Sequence, residues 1–458
     1  MSADDGHAPL TQVATAAAEL QFEDLPEDVI EAASRNILDT VGVALAGADE
    51  PVTVVACKAL SVQGAAGTGR SRVWGTTSTA SAVDAATING IAAHALDFDD
   101  WAPGSGVHPS APILPAVLAV ADEIGSSGAD VIAAYVAGYE LQERIGLAVG
   151  PSHYELGFHT TGTIGTFGAA AAVANLLGAD STQMLTALRT AATQAAGLKA
   201  MFGSMGKPLH AGRAAAAGIL AAKLAVNGFV ASSDSVLGEQ GFVATHTRSV
   251  DETWLQARFG EPWFVLSARI KSYAACFGTH GAIGAALHLR ADPFFDIGTI
   301  ERIDLDIPRI CVGVCTIPEA TTVLEAKFSV AFVVAAALVH GSAGVRQFTP
   351  ASLSDPVVQR LAQLVHLNPN DWMDKTRTDV GLSCADGRHV SASADAGQLW
   401  TDLSDSERFH QVRSKFDTLV APIVTSSGAD RLADVILHLA QCPDISAVTA
   451  ALVPQPSV

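Results

Sequence analysis

Apolar residues recur every three or four positions along most of the chain up to about Val230, which is the spacing of amphipathic helices. Residues 28–46 show the pattern clearly, with Ile37 and Val41 on one stripe. The same spacing predicts further helices at residues 80–96, 111–124, 128–149, 163–177, 182–196 and 212–227.

The pattern changes after about Ser267. Alternation of apolar and polar residues predicts a strand at 302–308 and a β-hairpin at 376–396. Further helices are predicted at 326–340, 404–419 and 428–441. We therefore predict a mostly α fold with an α+β lid. The large helical domain would comprise residues 1–268 and 399–458, and the smaller inserted α+β domain residues 269–398.

Three glycines, Gly162, Gly165 and Gly168, stand at every third position of one predicted helix. Small residues at this spacing let neighbouring helices approach closely, which is the interpretation we favour. A dinucleotide-binding loop is the alternative. We reject it because no strand precedes the glycines and the G-x-G start is missing.

Composition limits the possible partners. Only 16% of the 458 residues are charged and 49% are hydrophobic, so we expect part of the surface to be buried in a homo-oligomer. The formal net charge of −20 argues against nucleic acid or an anionic membrane surface as a partner. An acidic substrate would therefore need a local basic cluster, because the protein as a whole repels it.

The cysteines and the apolar segments indicate the compartment. The six cysteines lack the paired spacing of a zinc or iron–sulfur site, so no metal cofactor is predicted. The first residues are acidic and do not resemble a signal peptide. Apolar stretches such as 331–339 are shorter than the roughly 20 residues that cross a bilayer. We predict a cytoplasmic protein.

The strongest local signal is a run of acids at a predicted helix end, where Asp97, Asp99 and Asp100 precede Trp101, with His108 close behind. Ionised carboxylates this close repel one another unless water, cations or protons compensate them. A solvated helix end and a Mg²⁺ site are two explanations. We favour a catalytic carboxylate or one that pairs with a lysine.

Two further groups flank predicted helices. His159 lies just before the helix at 163–177, where free backbone N–H groups can hold an anion and an imidazole can move a proton. A capping residue or a buried, hydrogen-bonded histidine is the alternative. Lys207 follows Gly206 between two alanine-rich helices. It is either a surface lysine or a partly buried base or carboxylate clamp whose pKa a neighbour such as Asp97 would set.

The last group, with Lys271, Cys276 and His280, lies at the predicted junction of body and lid. Such a hinge can deliver groups to a cleft when it closes. Cys276 as a nucleophile is disfavoured, because buried cysteines are mostly packing residues. Together the groups indicate proton abstraction beside a carboxylate, with cations that stabilise enolate-like charge.

These motifs resemble the MmgE/PrpD family, which includes 2-methylcitrate dehydratases, cis-aconitate decarboxylases and iminodisuccinate epimerases. The similarity runs through residues 37–42, 89–100 and 207–212 to Thr279-His280 and residues 385–388. It implies a homodimer of a helical domain and a smaller lid, with the active site in the cleft between them and no metal or organic cofactor. Carried over position by position, the family's site residues fall on Asp97, His108, His159, Lys207 and Lys271, with His280 in the lid motif.

Three positions depart from the family pattern. Trp101 stands where many members carry threonine, Cys276 where the decarboxylases place histidine, and Phe332 where tyrosine is common. Losing a hydroxyl, an imidazole and a phenol predicts a more apolar pocket. An unpaired polar group of the substrate would cost about 1–3 kcal/mol in such a pocket, which argues against 2-methylcitrate itself.

We therefore predict a cofactor-free lyase that abstracts a proton from a small di- or tricarboxylic acid and releases water or CO₂. Lys207 or His159 would be the base, His108 the acid, Lys271 a carboxylate clamp, and Asp97 the group that orients Lys207. Trp101, Cys276 and His280 would complete the substrate site. The alternatives are an epimerase of a dicarboxylate such as iminodisuccinate and a non-catalytic carboxylate-binding dimer. A metal-dependent hydrolase at residues 97–100 is a weaker alternative.

Overall fold

The computed structural model describes residues 8–62 and 69–453. It confirms the predicted class, a mostly α-helical fold with a small α+β part. The helices are α1 (Ala8–Glu19), α2 (Glu27–Gly47), α3 (Pro51–Ala59), α4 (Ala82–Ala95), α5 (Ser110–Ile124), α6 (Gly128–Glu155), α7 (Thr160–Leu176), α8 (Ser181–Ala192), α9 (Gly206–Val226), α10 (Phe242–His246), α11 (Thr253–Gln256), α12 (His280–Arg290), α13 (Val323–Ala326), α14 (Val330–His340), α15 (Pro350–Leu353), α16 (Pro356–Gln363), α17 (Gln398–Thr401), α18 (Asp405–Val420), α19 (Ser426–Leu437) and α20 (Ser446–Ala451). The strands are β1 (Ser71–Arg72), β2 (Thr79–Ala80), β3 (Ile300–Pro308), β4 (Val365–Asn370), β5 (Arg377–Cys384) and β6 (His389–Asp395).

Small residues bring the central helices into close contact. A Cβ atom added at Gly165 would lie 2.8 Å from Pro112, and one at Gly168 would lie 2.7 Å from the side-chain oxygen of Gln142. On α9, a Cβ at Gly212 would lie 2.2 Å from the carbonyl oxygen of Thr87 in α4. A Cβ at Gly218 of α9 would lie 2.5 Å from the side chain of Ala169 in α7. The predicted close packing is confirmed, and it holds together α4, α7 and α9, which carry the candidate site.

The larger sheet has the order β4-β3-β5-β6. β3 pairs parallel with β4 and antiparallel with β5, and β5 and β6 form the predicted hairpin. Ile303, Leu305 and Ile307 of β3 are buried in one core with residues of α12 and α14. Sequence periodicity missed β4, because most of its residues are exposed and Pro369 interrupts it, as is tolerated in an edge strand.

The C-terminal helices return to the N-terminal part of the chain. Phe416 of α18 is buried in the same core as Ile37 and Val41 of α2. A Cβ atom added at Gly42 of α2 would lie 2.9 Å from the Phe416 ring. The predicted helix at 428–441 is found as α19, which ends at Leu437, followed by a short 3₁₀ turn.

Several helix bounds near the site differ from the predictions. α9 begins at Gly206 and not at 212, so Lys207 lies in its first turn. α7 begins at Thr160, with His159 directly before it. The predicted helix at 326–340 is broken by a turn between α13 and α14, which allows Lys327 to point inward.

One described helix, α9, is long and apolar enough to cross a membrane by length and composition, and the bent pair of α2 and α3 passes the same test together. Of the apolar window in α9, 61% is buried inside the fold. Its packing against α4 and α7 accounts for its apolar sequence, as in the core helix of a globular protein.

Candidate active site

A cavity of about 710 Å³ opens between the ends of α4, α7 and α9 and the segments around residues 269–278 and 373–376. Its lining combines ionisable groups with aromatic rings. The lining includes six of the eight predicted site residues: Asp97, Trp101, His108, His159, Lys207 and Cys276. The structure therefore brings most of the scattered candidates together at one site.

Asp97 forms the floor of this cavity. It directly follows the end of α4 and has a left-handed backbone, with φ of +50°, which aspartate and asparagine tolerate better than most residues. Its Oδ1 atom lies 2.8 Å from Nζ of Lys207 and 2.7 Å from Nζ of Lys271. Burial alone would raise the pKa of the carboxyl, but the two ammonium charges hold it well below its usual value.

A hydrogen-bonded chain that runs from Lys207 through His94 to Asp99 orients the Lys207 ammonium group. Its Nζ donates to Nε2 of His94 at 2.9 Å, and Nδ1 of His94 lies 2.7 Å from Oδ2 of Asp99. Because His94 accepts at Nε2, its proton must sit on Nδ1 and point at Asp99. With Asp97 and His94 each using one N–H of the ammonium, the third N–H is left for the cavity.

His159 presents a free nitrogen to the same cavity. Its Nδ1 lies 3.0 Å from Nδ1 of His210, whereas its buried Nε2 has no hydrogen-bond partner within the described residues. Burial first, and then the charge of Lys207, lower its pKa well below 6.5. Burial also lowers the pKa of His210 to about 4. Both rings are therefore neutral at pH 7, so one of the two Nδ1 atoms carries a proton and donates it in a hydrogen bond to the other.

The other predicted site residues fall into two groups. His108 lines the cavity with Nδ1 3.3 Å from Asp99, and burial lowers its pKa to about 3. Lys271 and His280 do not line the cavity. Lys271 is fully buried against Asp97, and Nε2 of His280 lies 3.3 Å from the carbonyl oxygen of Ala275. Their direct contact with a substrate, as predicted, has no support in this geometry.

The two remaining positions form an apolar wall. The rings of Trp101 and Phe277 stack with centroids 4.0 Å apart, and Cys276 is half-buried beside them. Phe332 does not belong to this wall. It is buried in the core near Phe348, so the phenylalanine there removes no polar group from the cavity, contrary to the sequence-based interpretation.

The acidic run is buried, which rules out a solvated helix end. Asp99 accepts from His94, and Asp100 accepts from both the backbone and the hydroxyl of Ser110. Burial raises the pKa of Asp100 to about 7. By ligand type, His94, Asp97, Asp99 and His108 could hold a metal ion, since their ligand atoms lie within 4.8 Å of one another. Two ammonium groups beside Asp97 already supply positive charge there and would oppose a divalent cation.

The sequence analysis missed two lysines, Lys327 and Lys415, that hydrogen-bond to the backbone on either side of Asp97. Nζ of Lys327 donates to the carbonyl oxygen of Leu96 at 2.7 Å, and Nζ of Lys415 donates to that of Phe98 at 2.6 Å. Lys271 donates to the carbonyl oxygen of Asp97 between them at 2.9 Å. Three consecutive carbonyls thus each accept from a lysine. No local sequence signal indicates this, because the lysines lie far away in the chain.

The fold and this site define a mostly helical protein with a buried cluster of ionisable groups in one cavity. The MmgE/PrpD N-terminal domain matches residues 11–255, and the MmgE/PrpD C-terminal domain matches residues 273–441. The chain belongs to the MmgE/PrpD family.

Characterised relatives align along nearly the whole chain. The chain is 29% identical to a cis-aconitate decarboxylase of Homo sapiens over 462 residues, covering 96% of this chain and 93% of the relative. It is also 29% identical to a cis-aconitate decarboxylase of Aspergillus terreus over 463 residues, covering 94% of this chain and 93% of the relative.

Proposed function

We propose that the protein is a lyase that decarboxylates a small unsaturated tricarboxylate, with cis-aconitate as the first candidate. The observation that carries the proposal is the pair of buried ammonium groups on Asp97, one of which faces the cavity beside neutral imidazoles. The names of the two relatives support the choice of CO₂ over water as the leaving group.

The local charge suits an anionic substrate despite the net charge of −20. Lys207 and Lys271 bring two positive charges to the carboxylate of Asp97, and Asp99 adds a second negative charge behind His94. Lys327 supplies a third positive charge. Lys327 lies nearby and pairs with backbone carbonyls only, and burial lowers its pKa to about 8. The floor is therefore cationic, which supplies the local attraction that the overall charge cannot provide.

The reaction needs one proton for each CO₂ released. The bond between the substrate and the leaving carboxylate breaks, its electron pair forms a new double bond, and the former double bond takes up a proton at its far carbon. We assign this proton to the cavity-facing N–H of Lys207, whose charge also stabilises the carbanion-like state. His159 Nε2, with Nδ1 held by His210, accepts a hydrogen bond from the substrate or from water.

This assignment changes the roles predicted from sequence for two residues. His108 has a lowered pKa and is neutral at pH 7, so it would serve as a hydrogen-bond partner in the cavity and not as the acid. Lys271 acts on Lys207 through their shared carboxylate, so it is a positioning residue.

Incubation with cis-aconitate in deuterated water, followed by proton NMR, tests the proposal. We expect substrate loss with one deuterium in each product molecule. Loss of water from citrate or 2-methylcitrate would indicate a dehydratase instead. Deuterium exchange at the α-carbon of a dicarboxylate, without loss of water or CO₂, would indicate an epimerase. Lys207→Gln should lower turnover by about 10²–10⁴-fold. Lys223→Gln, on the same helix but outside the cavity lining, is the control and should retain most of it. Equal activity of both variants would refute the role of Lys207.

We also propose that the protein works as a homodimer. Support comes from an exposed apolar run on one segment near the site, comprising Leu198, Met201, Met205 and Leu209, each at least 41% exposed. Light scattering should give twice the 47.0 kDa mass of the chain. Leu198→Glu combined with Leu209→Glu should shift it towards the monomer mass, and an unchanged dimer would exclude this surface.

A further inference from the structure

Three cysteines meet at one wall of the cavity. Their sulfur atoms surround Gly278: a Cβ atom added there would lie 3.2 Å from Sγ of Cys311, 3.3 Å from Sγ of Cys315 and 3.9 Å from Sγ of Cys276. All three are free thiols. Cys276 ends the segment that leads into α12, whereas Cys311 and Cys315 share a tight turn after β3, so the fold brings distant parts of the chain together here.

The three thiols differ in access. Cys276 and Cys311 line the cavity, so a small solute can reach them. Cys315 lies behind them with no exposed surface. The S–H of Cys315 donates to the carbonyl oxygen of Cys311 at 3.7 Å, and its sulfur lies with that of Cys276 around the Cβ position of Gly278. One reachable thiol thus lies beside one that is shielded from solvent.

The surroundings favour ionisation of the reachable thiol. The neighbouring thiol of Cys315 lowers the pKa of Cys276 most, burial and Asp97 oppose this, and the charges of Lys271 and Lys207 add to the lowering. The neighbouring thiols of Cys276 and Cys311, together with burial, raise the pKa of Cys315 well above its usual value. A thiolate reacts with electrophilic oxidants far faster than a thiol does.

We propose that Cys276 and Cys315 form a peroxide-sensitive dithiol in the cavity wall, with Cys276 as the reacting thiol and Cys315 as the resolving thiol. A hydroperoxide transfers one oxygen to the Cys276 thiolate, giving a sulfenic acid and the corresponding alkoxide or hydroxide. Cys315 then attacks this sulfur and water leaves, so the two thiols are oxidised by two electrons to a disulfide. A reducing thiol reverses the step.

Disulfide formation would alter the cavity. The sulfur of Cys276 must move to about 2.0 Å from Cys315, away from the lumen and towards the protein interior. The neighbouring Phe277, which stacks on Trp101, would move with it. We expect substrate turnover to fall when the bridge forms and to recover on reduction.

Peroxide treatment followed by thiol counting and mass spectrometry tests the pair without relying on any catalytic activity. The denatured protein should show six reactive thiols before treatment and two fewer afterwards. Trypsin cleavage without reduction should link the peptide 272–290, which holds Cys276, to the peptide 310–327. Fragmentation should place the link on Cys315. A link to Cys311, or no link, overturns the proposal.

Two variants separate this reaction from general oxidation. Cys384→Ser changes a half-buried cysteine that does not line the cavity, and it should still lose two thiols. Cys315→Ala should leave a sulfenic acid on Cys276 that dimedone traps, so that activity lost to peroxide no longer returns with dithiothreitol. Full recovery in Cys315→Ala, or a link in the wild type without loss of turnover, would contradict the proposed switch.

Discussion

Replacing Asp97 by asparagine removes one charge from the cavity floor and little else. The side chain keeps its size, and asparagine also tolerates the left-handed backbone found here, with φ of +50°. Two buried ammonium groups, at 2.8 Å and 2.7 Å, then lose their counter-charge. Removing one partner of a buried ion pair costs about 3–5 kcal/mol, so we expect the free energy of unfolding to fall by about this amount at pH 7.

The pH dependence of this loss has a defined sign. In Asp97→Asn, burial without a counter-charge favours the neutral form of these amines in the folded protein, whereas water keeps them charged in the unfolded chain. The unfolded state then binds more protons than the folded state, so the stability of the variant rises with pH up to about 10.4. The deficit relative to wild type should therefore shrink from pH 7 to pH 9, as followed by urea unfolding with circular dichroism.

A double mutant gives the decisive control. Adding Lys271→Met to Asp97→Asn removes one of the two uncompensated charges, so the double variant should be more stable than Asp97→Asn alone. In the wild-type background, Lys271→Met should be destabilising. A double variant less stable than both single variants, or an Asp97→Asn within about 1 kcal/mol of wild type, would refute the ion-pair reasoning.

Three further perturbations have definite expected outcomes. His210→Phe removes the partner that fixes the proton of His159, so we expect kcat to fall about 10–100-fold with little change in KM, measured by steady-state kinetics. Burial raises the pKa of Glu143 from 4.5 to about 8, so its contribution to stability is fully present below 4.5 and is lost as pH rises to about 8. In urea unfolding, Glu143→Gln should make the fall of stability with pH shallower, by up to about 1.4 kcal/mol per pH unit, while the other buried carboxyls still contribute. Gly212→Ala places a Cβ 2.2 Å from a backbone oxygen, so it should destabilise by about 1–3 kcal/mol, whereas Gly344→Ala, with no atom closer than 3.5 Å, should leave the melting temperature unchanged.

Periodicity located the elements whose apolar face is continuous. Helix α2 and the β5–β6 hairpin were found within a few residues, because each buries one regular face. The start of α9 was predicted at residue 212, whereas the helix begins at Gly206. Proline is tolerated in a first turn, where the backbone N–H has no partner within the helix, and the structure shows Pro208 at that place.

The sequence predicted those site residues whose polar side chains stand out between apolar helices, but not the contacts between them. Asp97, His108, His159 and Lys207 stand in short polar runs between apolar helices, and the structure brings them to one cavity. The contact of His210 with His159 could not be read from the sequence, because it depends on how α9 packs on α7.

The cavity floor also shows how a strongly acidic protein can hold several cations without cancelling their charge. Carboxylates as partners for every lysine would neutralise the floor and repel an anionic substrate. Lys271 pairs with Asp97 and Lys415 with Asp39, but Lys327 has no carboxylate within ion-pair distance among the described residues. The carbonyl oxygens of Leu96, Asp97 and Phe98 each accept from one of these lysines at the end of α4. The C-terminal end of a helix carries a partial negative charge, which stabilises cations without adding a full one. The left-handed turn at Asp97 therefore has two consequences: it ends the helix, and it leaves an excess of positive charge where an acid would bind.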